Sequence, residues 1–218
     1  MQVLKLNRKN KNEVLRQAVL ALRAGKTVVY PTDTTYGLGA LAANPKAVAK
    51  IYKIKVRNAK QPIHVLVPSL LYAKKILKWN KTAEKLARKF LPGPLSIVLP
   101  IKTKISSLKK LTARSGFLGI RLPKNGFAIE LAKKLGAAIT ATSANPSAHL
   151  AGGHDPYSAR DVVKQFEKQK YKPDFVIDAG KLPKKKPSTF VKISSGGRKI
   201  EILREGPISK EEIVKAIL

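Results

Sequence analysis

The chain has 218 residues and no cysteine, a length that one domain over residues 1–218 fills with a sizeable core and a composition that excludes disulfides, thiolate metal sites and a thiol nucleophile. No segment approaches the ~20 apolar residues of a membrane-spanning helix, and the charged stretch from Met1 to Asn12 does not read as a secretory signal, so no membrane association and a cytoplasmic location are expected. The formal charge of +31 comes from 44 Lys and Arg against 13 Asp and Glu; it attracts polyanions without naming one, and with 34 Lys to 10 Arg both a solvated Lys-rich surface and a weakly RNA- or tRNA-binding one stay open.

Taken in order, the chain alternates strand and helix patterns. Val3 to Leu6 predicts a short strand, and Asn12 to Ala24 a helix with its apolar face at Val14, Ala18, Ala21 and Leu22, closed by Gly25. Thr27 to Tyr30 reads as a buried strand stopped by Pro31. Asn44 as N-cap and Pro45 at the first helical position open a helix to about Lys53. Ile63 to Val67 is the next strand, Ser69 to Phe90 a helical pair, and Pro92-Gly93-Pro94 a break before the strand Leu95 to Pro100. Leu118 to Leu122 and Ala138 to Thr142 predict strands around a helix from Phe127 to Leu135. A helix from Ser158 to Lys168 follows, then strands at Phe175 to Asp178, Thr189 to Ile193 and Lys199 to Leu203, the last two forming a hairpin at Ser195-Gly196-Gly197. Ser209 caps a final helix. Hairpins and strand-helix-strand crossovers together predict an α/β fold with a mixed sheet.

The familiar nucleotide motifs are missing. There is no phosphate loop of the Gly-x-x-x-x-Gly-Lys-Ser/Thr type, and Gly37-Leu38-Gly39 lacks the third glycine of a dinucleotide fingerprint. Carboxylates are scattered, and His149 and His154 lack an evident third ligand, so no protein-held metal is expected. What remains is a set of strand-end segments rich in hydroxyls and arginine. Tyr30 to Gly39 offers Thr32, Thr34 and Thr35 with small residues for close ligand approach; Lys55-Val56-Arg57 follows a helix; Arg121, Thr142-Ser143-Ala144-Asn145 and Arg204 end strands. Ligand sites in α/β sheets gather beyond strand ends, so these pieces can converge. Lys and Arg suit phosphates and a carboxylate, while hydroxyls and an amide orient a small polar substrate. The basic run from Lys181 to Lys186 reads as a solvated loop.

In this order, Pro-Thr-Asp-Thr-Thr-Tyr-Gly-Leu-Gly, Lys55-x-Arg57 with Pro62, Pro92-Gly93-Pro94, Arg121-Leu-Pro, Thr-Ser143-x-Asn145-Pro-Ser, Ser188-Thr189 and Leu203-Arg204-x-Gly206 closely resemble the YrdC domain of L-threonylcarbamoyl-AMP synthases. The match runs from about Asn12 to Pro207. The resemblance implies a twisted mixed parallel/antiparallel sheet flanked by helices with a large central cavity, in the short, single-domain form. It implies condensation of L-threonine, bicarbonate and ATP to threonylcarbamoyl-AMP, pyrophosphate and water, with magnesium carried by the ATP and a separate threonylcarbamoyl transferase receiving the adenylate for tRNA modification. Carried over by position, Lys55, Arg57, Gln61, Asn145 and Arg204 would hold ATP, and Thr32, Thr34, Arg121, Ser143 and Ser188 would surround threonine. Lys55 and Arg57 are the expected catalytic charges.

The sequence departs from the family pattern in places. Leu66 stands where many relatives carry His, with His64 two residues earlier on the same strand face; His64 either replaces that His or packs. Phe117 and Tyr157 stand where relatives often have Thr, and residues 149–155 are atypical. The rival from another class is a non-catalytic RNA-binding protein of the same fold.

Overall fold

The computed structural model describes residues 1–102, 106–124, 126–147 and 151–218. Strand β1 (Gln2–Lys5) leads into helix α1 (Lys11–Arg23), which buries Val14, Leu15, Ala18, Val19, Ala21 and Leu22 along one face. Strand β2 (Val28–Tyr30) follows, then β3 (Gly37–Gly39), which no strand pattern announces. Helix α2 (Pro45–Lys55) starts where predicted: the Asn44 side chain accepts from the backbone N–H groups of Lys46 and Ala47, and Pro45 occupies the first turn, where its missing N–H costs nothing. Strand β4 is confined to Val65–Leu66. The helical pair is α3 (Leu70–Ile76) and α4 (Lys81–Phe90), capped by Ser69 and Asn80.

Strand β5 (Leu95–Pro100) is followed by a 3-10 turn at Ser106–Thr112, strand β6 (Phe117–Arg121) and helix α5 (Gly126–Leu135). The strand predicted from Ala138 to Thr142 is two strands, β7 (Ile139–Thr140) and β8 (Thr142–Ser143), which belong to different sheets. Helix α6 (Ala159–Phe166) begins with a reciprocal capping box between Ser158 and Asp161. Strands β9 (Phe175–Asp178), β10 (Thr189–Ile193) and β11 (Ile200–Arg204) precede helix α7 (Lys210–Ile217), which Ser209 and Glu212 cap in the same reciprocal way. Among the described residues no helix is long and apolar enough to cross a membrane.

The expected mixed pairing is distributed over two sheets rather than one. The first runs β1-β9-β2-β3-β8 and the second β11-β10-β5-β6-β4-β7. Helices α1 and α5 pack with Val28, Tyr30 and Ile177 in one apolar cluster, while α2, α3, α4, α6 and α7 enclose the larger core beneath Ile97, Leu99, Leu118, Ile120, Val191 and Ile193. Residues 139–143 join the sheets. Ile139 and Thr140 pair with β4, the Thr140 N–H donates to Ala40 O at 2.9 Å, and one residue later Thr142 and Ser143 pair with β3. Ala141 is the corner, its N–H donating to His64 O at 2.8 Å.

Candidate functional site

A cavity of about 520 Å³ is lined by residues of both sheets. The six-stranded sheet supplies one wall by strict alternation. Phe117, Gly119 and Arg121 face the cavity from β6, Val98 from β5, and Ser188, Phe190 and Lys192 from β10 and the residue before it, while Leu118, Ile120, Ile97, Leu99, Val191 and Ile193 turn into the core. His64 and Leu66 both line the cavity, as their spacing of two requires. Register fixes the rows: Leu66 lies beside Arg121, Arg121 beside Ser96, and Ser96 beside Phe190. Gly119 makes space for His64, since a Cβ there would lie 2.9 Å from His64 Cβ.

The opposite wall comes from the ends of β2, β3 and β8. The Thr32 hydroxyl donates to Thr35 O at 2.6 Å and accepts from the N–H groups of Thr34 at 3.1 Å and Thr35 at 3.3 Å, so the threonines tie their own loop. The glycines of β3 serve a purpose different from the expected ligand approach. A Cβ on Gly39 would come within 2.7 Å of the Tyr30 ring and 2.5 Å of Ile139 Cγ2, and one on Gly37 within 3.2 Å of the same ring. The buried Tyr30 ring lies across β3, and only glycine admits it.

Four cations, Arg57, Arg121, Lys192 and Arg204, line the cavity with one carboxylate, Asp155, among the described residues. They are held to different degrees. Arg121 donates from Nη2 to Asp33 Oδ1 at 2.6 Å and from Nη1 to Thr34 Oγ1 at 3.1 Å. Arg204 donates from Nε and Nη2 to Ser188 O at 3.0 and 2.9 Å and stacks on the Phe190 ring, 4.6 Å from its centroid. Lys192 sits 5.0 Å from the Phe117 ring and 3.7 Å from Glu201. Among the described residues the Arg57 side chain makes one hydrogen bond, Nη2 to Pro62 O at 3.0 Å. Arg57 and Arg121 each retain a buried Nε–H with no partner among the described residues, an unspent donor of the kind that marks ligand sites. Burial first, and then the charges of Arg121, Arg204, Arg57 and Lys55, hold the His64 imidazole well below its usual range and keep it neutral. Its ring meets the edge of Phe190 at 4.9 Å.

Of the residues singled out from sequence, Thr32, Thr34, Arg57, Arg121, Ser143, Ser188 and Arg204 converge on this cavity. Lys55, Gln61 and Asn145 are not among the lining residues. Lys55 is 3% exposed and donates to Ser143 O at 2.6 Å, Asn145 O at 2.7 Å and Asn145 Oδ1 at 3.2 Å. Burial and then the Arg57 charge push its pKa down to about 7, against an opposing pull from Asp155. Gln61 is exposed, its carbonyl accepting from Tyr52 Oη at 3.0 Å. Sequence reasoning missed Asp33, which anchors Arg121, and Phe190 and Lys192, which a period of two from Ser188 could have found. His149 lies outside the described residues, as does the first part of the atypical 149–155 segment. Tyr157 is not among the lining residues and meets the basic run instead: its carbonyl accepts from Leu182 N at 2.7 Å, its hydroxyl donates to Lys185 O at 3.5 Å, and Lys181, Lys184, Lys185 and Lys186 are exposed.

The Sua5/YciO/YrdC family profile, described as telomere recombination, matches residues 20–206. The chain belongs to the Sua5/YciO/YrdC family. A Methanocaldococcus jannaschii member of similar size is 34% identical over 99% of this chain and 96% of its own length. The Pyrococcus abyssi threonylcarbamoyl-AMP synthase is 33% identical over 93% of this chain, which spans 57% of that protein. In three dimensions, the crystal structure of P. abyssi Sua5 complexed with L-threonine matches with a TM-score of 0.87 at 30% identity, over 100% of this chain and 61% of that one. The Sua5/YciO/YrdC membership and the mixed α/β architecture expected from the motifs therefore hold.

Proposed function

We propose that this chain is an L-threonylcarbamoyl-AMP synthase, condensing L-threonine, bicarbonate and ATP to threonylcarbamoyl-AMP, pyrophosphate and water. The observation that carries the reading is the convergence of Arg57, Arg121 and Arg204 with the hydroxyls of Thr34, Ser143 and Ser188 on one cavity, in a family whose P. abyssi member has been crystallised with L-threonine. Arg121, braced by Asp33 and Thr34, presents a fixed guanidinium to the amino-acid carboxylate. The hydroxyls of Thr34, Ser143 and Ser188 read the amine and the side-chain oxygen. Arg57, the least committed of the three arginines, and Arg204 at the exposed rim take the triphosphate. Magnesium enters as part of the substrate, bound to ATP.

In this reading the threonine nitrogen bonds to the carbon of carbon dioxide derived from bicarbonate and gives up a proton, forming a carbamate. A carbamate oxygen then attacks the α-phosphorus as the bond to pyrophosphate breaks. The protein contributes position and fixed positive charge rather than a covalent intermediate. The neutral His64 ring and Phe190, in edge contact at 4.9 Å, give the cavity an aromatic patch beside its charges. A separate transferase receives the adenylate, and the Lys-rich surface is the part of the chain suited to a transient RNA contact. Incubation with threonine, bicarbonate and MgATP is expected to release pyrophosphate and threonylcarbamoyl-AMP, each dependent on threonine. Folded protein giving neither product would refute the reading and favour the RNA-binding rival.

A further inference from the structure

We infer that Lys55 is a positioning residue: its ammonium locks the Ser143–Asn145 segment to the end of α2, and it serves bound substrates through that segment rather than by touching the triphosphate. The second half of this inference rests on the proposed synthase reading; the first half stands on the ligand-free chain.

The donor count decides it. Three acceptor oxygens surround Lys55 Nζ, Ser143 O, Asn145 O and Asn145 Oδ1, at 2.6, 2.7 and 3.2 Å; a neutral amine has only two N–H donors, so this set favours the ammonium, whose three donors it uses up. A phosphate oxygen could bind only by displacing one of them, leaving a buried acceptor unpaired. The attachment is also reciprocal, because the Lys55 carbonyl accepts from the Ser147 N–H at 2.7 Å. Val56 separates the two cations of the Lys-x-Arg motif. It closes the helix in the left-handed region at φ 49°, an unusual conformation for a β-branched residue, and the chain turns so that Lys55 points into the 143–147 segment while Arg57 lines the cavity. Beyond the lock, Ser143 pairs with Gly37, the Ala144 N–H donates to Tyr36 O at 2.9 Å, and Gly153 packs against the Pro146 carbonyl so closely that a Cβ would lie 2.0 Å from it. Lys55 is thus the one cation among these contacts, and what it fixes is the cavity-facing Ser143.

Hydrogen exchange on the ligand-free full chain tests the lock directly. In Lys55→Met, amides of residues 141–147 are expected to exchange at least tenfold faster while β5, β6 and β10 keep their protection; unchanged protection at 141–147 overturns the inference. Calorimetry separates the roles. If Lys55 positions, the variant weakens ATP and adenosine binding by a similar factor, and the salt dependence of ATP binding is unchanged. Loss of ATP affinity with adenosine binding intact, and a shallower salt dependence, overturns it. Should Lys55→Met fail to fold, Lys55→Arg serves: a planar guanidinium keeps the charge but cannot meet three converging oxygens, so loosened exchange is expected and full retention of ATP binding with an unloosened segment overturns the lock. Wild-type protein that makes no adenylate would sink the synthase reading and leave the exchange result to judge Lys55 alone.

Discussion

The two walls of the cavity are built by different means. On the six-stranded wall, residues face the cavity because strand register puts them there: Phe117, Gly119 and Arg121 on β6 and Phe190 and Lys192 on β10 are two residues apart and are held by the sheet itself. On the other wall short strand ends give way to loop, and its shape depends on hydrogen bonds made by Thr32, Lys55 and Asp33. A change on the register wall alters one contact; a change on the tied wall releases a segment.

The largest expected effect is catalytic. Arg57→Ala removes a charge bound by one hydrogen bond, and pyrophosphate release should fall on the order of a hundredfold or more, as when a charge-stabilising donor is lost, with the melting temperature nearly unchanged. Normal turnover would remove Arg57 from the site. Next comes Asp33→Ala on the tied wall. The Asp33–Arg121 pair is 2.6 Å long with side chains 15% and 9% exposed, and leaving a buried charge without its partner costs roughly 3 kcal/mol. Urea unfolding should show that loss together with a raised KM for threonine, and Asp33→Asn should recover part of both.

Glycine substitutions then compare the walls at equal chemistry. Gly39→Ala forces a methyl into Tyr30 and Ile139 and should cost about 1–3 kcal/mol as overpacking does, seen in chemical denaturation. Gly119→Ala meets one atom, His64 Cβ, at under 3 Å, and should destabilise less while displacing the imidazole. A larger loss at Gly119 than at Gly39 would reverse the comparison.

The smallest effect concerns pH. The His64 pKa lies below its usual 6.5 in the folded chain, so between those values the unfolded state binds a proton that the native state does not. Stability therefore rises with pH through that window and falls on acidification below about 6.5. His64→Leu should flatten this part of a melting-temperature profile. An equally steep profile in that variant would place the titration elsewhere.

The elements that local chemistry dictates were legible. Asn44-Pro45 starts α2, Ser209 caps α7, and β9 and β10 match their predicted spans. What the sequence hid depends on tertiary partners. Gly37–Gly39 has no strand propensity and is a strand because β2 and β8 pair on either side of it. The run from 138 to 142 reads as one strand, since nothing local marks Ala141 as the corner where the chain changes sheets. At the site, arginines and hydroxyls pointed to the cavity, while the motif around Lys55 gave no hint that its ammonium turns the other way. Asp33 sat in plain view between two threonines, but its role needed Arg121, 88 residues away, to be seen.

The arginines also repel one another. Arg121 disfavours the charged form of Arg204, Arg57 that of Lys55, and all four that of His64, so an empty cavity carries an electrostatic tension that any compact anion relieves. In the proposed synthase reaction, such a basin would not by charge alone tell a reactant triphosphate from the pyrophosphate that leaves it. Product should linger and inhibit, and hydrolysis of pyrophosphate elsewhere would then set the pace of turnover as much as anything inside the chain.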